Sequence, residues 1–448
     1  MMKKTKLIII DIVGLTKNNL KQQNLSNISK IIESGTASSI IPSFPAVTCS
    51  VQNTFTTGCN PSEHGIIANG FYDRDSNQVS FWEQYSSLVQ KPRIWDIMKN
   101  KKPQLKTAIL FWQNSLYANS DVVLTPKPIH LDDQFVMWCY SKPVGFYEEI
   151  TEKLGEFDLK WYWGPFVSIK SSEWIVNASK YTIMKQKPDL ILVYIPHMDY
   201  SAQKYGPNSN EFNASLQQVD SLIGEIMSFL EANNLTNEYN ILILSEYGFF
   251  EVNNSISPNL LLRQNGLLSV RKIKGKEYID YEYSKAFAMV DHQITHVYVK
   301  PGYEQDVQTL FQKNDSIAKI LDKKSQSEFK IDHKRSGEFI LSSNSNTWFN
   351  YHWWDEENLA PSFTFNVDIH RKPGFDPLEL FFDIEKKTIS HNTHLVKGSH
   401  GLIPEEDSLP LLISDIPKMN SKIHAIQIAP TITKFFKINH TFVSQPAF

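Results

Sequence analysis

The chain has 448 residues, 41% of them hydrophobic and 21% charged, with a formal net charge of -3. That balance describes an ordinary globular protein, and it gives no electrostatic footing for a nucleic-acid polymer or an acidic membrane as the main partner. The length exceeds the size at which one simple core stops growing, so one large α/β domain with an insertion, or two domains, is expected.

In chain order, Met-Met-Lys-Lys-Thr-Lys leads into Leu7–Ile10, an apolar run that stops at Asp11. The run is too short for the hydrophobic region of a signal peptide, and no stretch of the sequence reaches membrane-spanning length. It reads instead as a buried parallel strand that delivers an acidic side chain to a sheet edge. Asn27 is placed to cap a helix through Ile31 and Ile32 that ends near Gly35. Pro42 and Pro45 mark a loop, and Thr48 to Thr57 reads as a helix ended by Gly58. Leu190 to Ile195 is a second buried strand, predicted to end at His197-Met198-Asp199. Phe212 to Leu230 carries apolar residues at helical spacing, and Tyr239 to Leu244 is a third strand, followed by Ser245-Glu246-Tyr247-Gly248.

Three apolar strands, each followed by a carboxylate and separated by helices, describe a doubly wound, mostly parallel sheet flanked by helices. In such sheets the ligand site lies at the carboxyl ends of the strands. From residue 255 to 395 the pattern changes to short strands, a helix near Glu304 to Phe311 and polar, aromatic loops. This stretch is expected to be an inserted α+β cap, with residues 1–254 and 396–448 forming the core. Core-like sequence returns at Gly398-Ser399-His400-Gly401, and a last helix is predicted near Ile423 to Phe435. Most rings of Trp161-Tyr162-Trp163 and Trp353-Trp354 are expected in the core, a few lining a pocket. Cys49, Cys59 and Cys139, odd in number and without zinc-finger spacing, suit a reducing compartment. A cytoplasmic protein without membrane association is the resulting expectation.

Thr48 sits where a proline-ordered loop enters a helix, a place where free N–H groups and the helix dipole favour a phosphate oxygen. By itself, a threonine there is commonly a cap. It becomes a nucleophile only if its hydroxyl is activated, for instance by a metal, for which Asp11 is a plausible ligand.

Taken together, the strand ending in Asp11, Pro42-x-x-Pro45-x-x-Thr48, Thr57-Gly58, Pro61-x-x-His64-Gly65-Ile66 and Asn69-Gly70-Phe71-Tyr72-Asp73 resemble the type I phosphodiesterase/nucleotide pyrophosphatase family of the alkaline phosphatase superfamily. Pro188-Asp-Leu, Asp199 before Lys204-Tyr-Gly-Pro207, Gly398-Ser-His400-Gly and Ala429-Pro430-Thr431 follow in the family's order. The resemblance implies an alkaline-phosphatase-like fold and two divalent metal ions, usually zinc. It further implies that Thr48 attacks phosphorus, that Asn69 donates to a non-bridging oxygen, that Asp11 and Thr48 bind one metal, and that Asp199 and His400 bind the other. His64 is expected to support its loop.

The chain departs from the family where Gln203 and Glu246-Tyr247 replace His and Asp-His. Tyr for His and Gln for His each remove an imidazole, the ligand that suits zinc best, whereas Glu246 keeps an oxygen ligand. Three readings stay open. Other histidines compensate, namely His197 (taken to share a strand face with Asp199), His292 and His370; or the metal is manganese or magnesium; or one metal site is lost. Arg371 and Lys372, in a compact His-Arg-Lys-Pro-Gly turn, are candidates to clamp a phosphate, while Arg335 and the Glu405-Glu406-Asp407 run read as surface charge. The expected function is hydrolysis of a P–O bond in a small phosphorylated metabolite. A phosphomutase and an inactive phospho-ligand-binding protein are the alternatives.

Overall fold

The computed structural model describes residues 4–130, 135–416 and 419–448; Met1 to Lys3, the start of the amino-terminal segment considered above, lie outside these. The Leu7–Ile10 run is part of strand β1 (Lys6–Ile12), whose side chains divide between two cores. Ile8, Ile10 and Ile12 face one, with Leu216, Val219 and Ile223 of the helix Asn210–Ala232. Leu7 and Ile9 face the other, with Val51 and Phe55 of the helix Thr48–Thr57. A strand covered on both faces is apolar at every position, hence the unbroken run. The two-residue period then turns Asp11 towards the side of Leu7, Ile9 and the Thr48 helix.

Nine strands form one sheet and four another. Along the chain they are β1, β2 (Thr36–Ile41), β3 (Thr107–Leu110), β4 (Val122–Pro126), β5 (Cys139–Lys142), β6 (Leu190–Ile195), β7 (Tyr239–Leu244), β8 (Ala286–Asp291), β9 (Ile294–Val299), β10 (Ile317–Leu321), β11 (Phe339–Ser343), β12 (Leu411–Ser414) and β13 (Lys422–His424). The larger sheet has the order β13–β2–β12–β7–β1–β6–β3–β4–β5. Its centre, β7 to β4, is parallel; β12 is antiparallel to β7 and β2, and β5 is antiparallel to β4. This is the doubly wound sheet expected. Asp11 pairs in register with Tyr194 of β6 on one side and Leu244 of β7 on the other, at the carboxyl edge where the winding reverses.

Residues 254–394 supply no strand of that sheet. They carry the second one, antiparallel in the order β8–β9–β11–β10, over an aromatic core that includes Phe287, Tyr298, Tyr351 and Trp353. The β8–β9 hairpin turns through His292 and Gln293, and its tip reaches the main domain: the Gln293 N–H donates to the His400 carbonyl at 2.9 Å.

Three local predictions shift. β6 stops at Ile195, and Pro196 opens the helix His197–Tyr205, so Asp199 belongs to a helix and not to a strand end. Ile423 lies in β13 beside β2, and the last helix is Ile428–Phe435. Asn27 lies inside the first turn of the helix Ser26–Ser34, and its side chain binds Asp220 instead of capping. Among the described residues no helix is long and apolar enough to cross a membrane.

The Thr48–Thr57 helix is buried along its whole length although most of its residues are polar. It tolerates burial because its side chains bond back to its own carbonyls. Asn53 donates to the Cys49 carbonyl (2.8 Å), Thr54 to Ser50 (3.0 Å), Thr56 to Gln52 (3.0 Å) and Thr57 to Asn53 (2.6 Å). Gly58 ends it at φ +66, where a side chain would also meet the Phe442 ring at 2.8 Å.

Candidate active site

Gln52 lies one turn after Thr48 on the same helix face. Its amide nitrogen donates to Asp11 Oδ2 at 2.9 Å and to Glu246 Oε1 at 2.7 Å, and its oxygen accepts the Gln113 N–H at 2.8 Å. The carboxamide therefore bridges two fully buried carboxyl groups. Asp11 Oδ1 and Glu246 Oε2 have no partner. Burial pushes Asp11 up to about 7, against the opposing hydrogen bonds of Glu246 and Gln52. Burial and then the neighbouring Asp11 charge hold Glu246 well above the usual carboxylate range. The Thr48 hydroxyl lies 3.0 Å from the Tyr247 hydroxyl.

Asn69 joins this cluster to the cap. Its side-chain oxygen accepts the N–H of Cys49, the second residue of the helix, at 2.9 Å. Its backbone N–H and side-chain NH2 donate to the two oxygens of Asp291 at 2.8 and 3.0 Å. Only one hydrogen of the NH2 is used there, and the second is available to a phosphoryl oxygen. Asp291, acting as acceptor on both oxygens, also takes the Nδ1 proton of His292 at 2.7 Å. That bond leaves a lone pair on His292 Nε2, which is buried without a partner. His292 has φ +60 at the first position of a two-residue hairpin turn, where glycine is the usual choice.

His400 follows the same logic. Its Nδ1 donates to the Ala46 carbonyl at 2.9 Å, so Nε2 presents a lone pair, 4.0 Å from Asp199 Oδ1. Asp199 Oδ2 accepts from the Gln203 amide at 2.7 Å, while Asp199 Oδ1 and Gln203 Oε1 have no partner. The rings of Tyr247, His400, His292 and Phe375 form a continuous stack with successive centroid spacings of 3.6, 3.7 and 3.7 Å. Tyr247 thus packs on a histidine at the position where the resemblance implies an imidazole.

The structure gathers Asp11, Thr48, Asn69, Asp199, Glu246, His292 and His400, and leaves the other candidates outside. His197 is two positions from Asp199 on a helix, which separates their faces, and its Nε2 meets Gln218 Oε1 at 2.7 Å. The shared strand face expected for that pair does not exist. His370 is exposed, and Arg371, also exposed, pairs with Asp368. Lys372 is 1% exposed and held between Asp376 (2.7 Å) and Glu379 (2.6 Å), so its charge is spent inside the protein and the expected phosphate clamp does not form. What the His-Arg-Lys turn does contribute is Phe375. Arg335 donates to the Gly65 and Leu88 carbonyls at 2.7 and 3.0 Å and fastens their loops. His64 accepts the Ile66 N–H on Nδ1 and meets Thr54 through Nε2, a supporting role. Glu405, Glu406 and Asp407 are exposed, and Asp407 and Glu406 pair with lysines. Gln52 and Asp291 were missed from the sequence. The former was detectable as the i+4 neighbour of Thr48, the latter as the polar end of an apolar strand beside His292.

The two ends of the site differ as cation hosts. Among the described residues no three His, Cys, Asp or Glu side chains are grouped as metal ligands. At the Asp199 end two lone-pair-bearing atoms face each other at 4.0 Å, and Gln203, whose amide binds the other Asp199 oxygen, carries an Oε1 without a partner. These groups fit one divalent cation. At the Asp11 end the Gln52 amide already donates to one oxygen of each carboxyl, and among the described residues no imidazole is hydrogen-bonded there. That end does not fit one.

The raised acids set a pH dependence. Asp11 and Asp199, each pushed up to about 7 chiefly by burial, bind protons in the folded chain that the unfolded chain has released above about 4. Their contribution to stability is therefore full below that value and is lost as pH rises through 7. Urea denaturation of the chelator-treated protein between pH 4.5 and 8 is expected to show this decline. Added zinc should reduce it.

The fold is an alkaline-phosphatase-like α/β fold. The chain matches the type I phosphodiesterase / nucleotide pyrophosphatase family over residues 7–376, most of its length, and belongs to that family. Curated relatives include a pyrophosphatase/phosphodiesterase of Schizosaccharomyces pombe, whose function is uncharacterized, 26% identical over 54% of this chain and 44% of the relative. Ectonucleotide pyrophosphatase/phosphodiesterase 1 of Saccharomyces cerevisiae is 26% identical over 61% of this chain and 37% of the relative. The chain thus spans less than half the length of these proteins. Among solved structures, murine ectonucleotide pyrophosphatase/phosphodiesterase 5, as an inactive variant in complex with AMP, superposes with a TM-score of 0.64 at 13% identity, covering 99% of this chain and 98% of that one. The human counterpart gives 0.65 at 14% identity over 98% and 97%.

Proposed function

We propose that the chain hydrolyses a phosphodiester or pyrophosphate bond of a small nucleotide-like metabolite, with Thr48 as the nucleophile. The observation that carries this reading is the position of Thr48. It is the first residue of a buried helix, hydrogen-bonded to Tyr247, with Asn69 fixed on the next N–H. Membership of the family and the AMP bound to the murine structure support it.

Thr48 Oγ attacks phosphorus, forming an O–P ester as the bond to the leaving oxygen breaks, and water later cleaves that ester. The Asp11–Glu246 pair is the adjacent acceptor for the hydroxyl proton. The free Asn69 amide hydrogen and the amino end of the helix face the non-bridging oxygens. A divalent cation between Asp199 and His400, when bound, would supply positive charge for the phosphoryl group. The cap contributes His292 and Phe375 to the wall of the site.

The test is a substrate panel on purified protein with zinc, manganese or magnesium: p-nitrophenyl phosphate, bis-p-nitrophenyl phosphate, a dinucleoside pyrophosphate and a sugar phosphate. The diester and pyrophosphate are expected to exceed the monoester in kcat/KM by about tenfold or more. Isomerisation of the sugar phosphate without phosphate release would identify a mutase instead. Complete inertness would leave a ligand-binding protein and end the proposal.

A further inference from the structure

We infer that this chain takes one divalent cation and not two: the ion lies between Asp199 and His400, and the Gln52 carboxamide replaces the second ion between Asp11 and Glu246. The inference rests on the family's two-ion arrangement, on which it departs, and is independent of which bond the enzyme cleaves.

The first half follows from lone pairs. The Ala46 carbonyl fixes the proton of His400 on Nδ1, so Nε2 can only accept. It points at Asp199 Oδ1 across 4.0 Å, and that oxygen, shielded from solvent, has no donor. Two acceptors facing each other out of water require a positive charge or a proton between them. Gln203 adds a carboxamide oxygen with no partner, held by its own amide against the other oxygen of Asp199. The stack of Tyr247 and His292 on the two faces of His400 leaves its in-plane nitrogen clear. An imidazole nitrogen and a carboxylate oxygen of this kind suit zinc or manganese.

The second half follows from donors. Between Asp11 and Glu246 an N–H2 group stands 2.9 and 2.7 Å from the two carboxyls, and its position is set by the Gln113 N–H on the other end of the amide. An amide that donates to both oxygens gives part of the compensation a cation would give, from the place a cation would need. The imidazole that would complete a metal shell there is absent. Tyr247 stands in its position and stacks on His400. The helix supplies Gln52 one turn from Thr48, so the replacement moves with the nucleophile.

The experiment counts metal, not turnover. Chelator-treated full-length protein is dialysed against zinc, and separately against manganese, and metal per chain is measured by inductively coupled plasma mass spectrometry. Wild type is expected to hold one equivalent, and Asp11→Asn to hold the same one. His400→Ala is expected to hold none, with circular dichroism to confirm that it is folded. Gln52→Ala, which removes the bridging amide and leaves its place between the carboxyls open to an ion, is expected to gain a second equivalent. Two equivalents in wild type, none in wild type, or loss of the ion in Asp11→Asn would each overturn the inference. Wild type and Asp11→Asn decide it even if the other variants do not fold. Loss of hydrolysis with the count intact would reject the proposed activity and leave the single-ion arrangement standing.

Discussion

Thr48→Ala is expected to lower kcat on bis-p-nitrophenyl phosphate by about 10⁴-fold or more, the scale seen when a covalent nucleophile is removed from an active site. The helix should survive the change, because alanine is the best helix former and Thr48 is not the cap. The cost to folding is the hydrogen bond between the hydroxyl and Tyr247, on the order of 1–3 kcal/mol. Thr48→Ser keeps an oxygen at the same place and should retain measurable turnover. A Thr48→Ala protein that is folded by circular dichroism and still turns over within about tenfold of wild type would show that another group attacks phosphorus.

Asp291→Ala is expected to damage stability and activity together. One carboxylate accepts the backbone N–H and the side-chain amide of Asn69 and the Nδ1 proton of His292. Removing it strands three buried donors, each worth roughly 1–3 kcal/mol. These share one acceptor and are not additive, so a total of about 3–5 kcal/mol in urea unfolding is expected. Turnover should fall by about 100-fold, because the freed Asn69 no longer directs its amide to the phosphoryl oxygens. Asp291→Asn, which can accept but also presents an N–H2 to a donor, should lie between. A loss below about 1 kcal/mol would mean that water replaces the carboxylate and that the cap is not fastened through it.

Much of the core was legible because its signals are local. Leu7–Ile10 is apolar without alternation, which in so short a run means a strand covered on both faces, and the following Asp11 marks its open end. Thr48 to Gly58 carries its own start and stop in the proline loop and the left-handed glycine. The second sheet was legible only as a change of pattern, because an antiparallel sheet built on its own aromatic core has no motif to announce its register. His197 was misjudged because the strand was carried past Pro196, although proline at that point starts a helix. Lys372 was misjudged because a basic turn looks alike whether its charge faces a ligand or a pair of buried carboxylates.

The site divides along the same line. Asp11 and Glu246 after their strands, the threonine at the helix start and the asparagine after it lie where short-range pattern places them: strand period, helix phase and turn chemistry act over a few residues and can be read without a fold. The absence of imidazoles at Gln203 and Tyr247 was equally plain in one dimension. What took their place was not, because the answer lies in pairs far apart in the chain. Gln52 reaches Asp11 and Glu246, Asp291 of the cap holds Asn69, and His292 enters on a hairpin tip to stack on His400. Such contacts depend on which elements pack together and on which lone pair a distant carbonyl leaves free. Only the folded chain decides that.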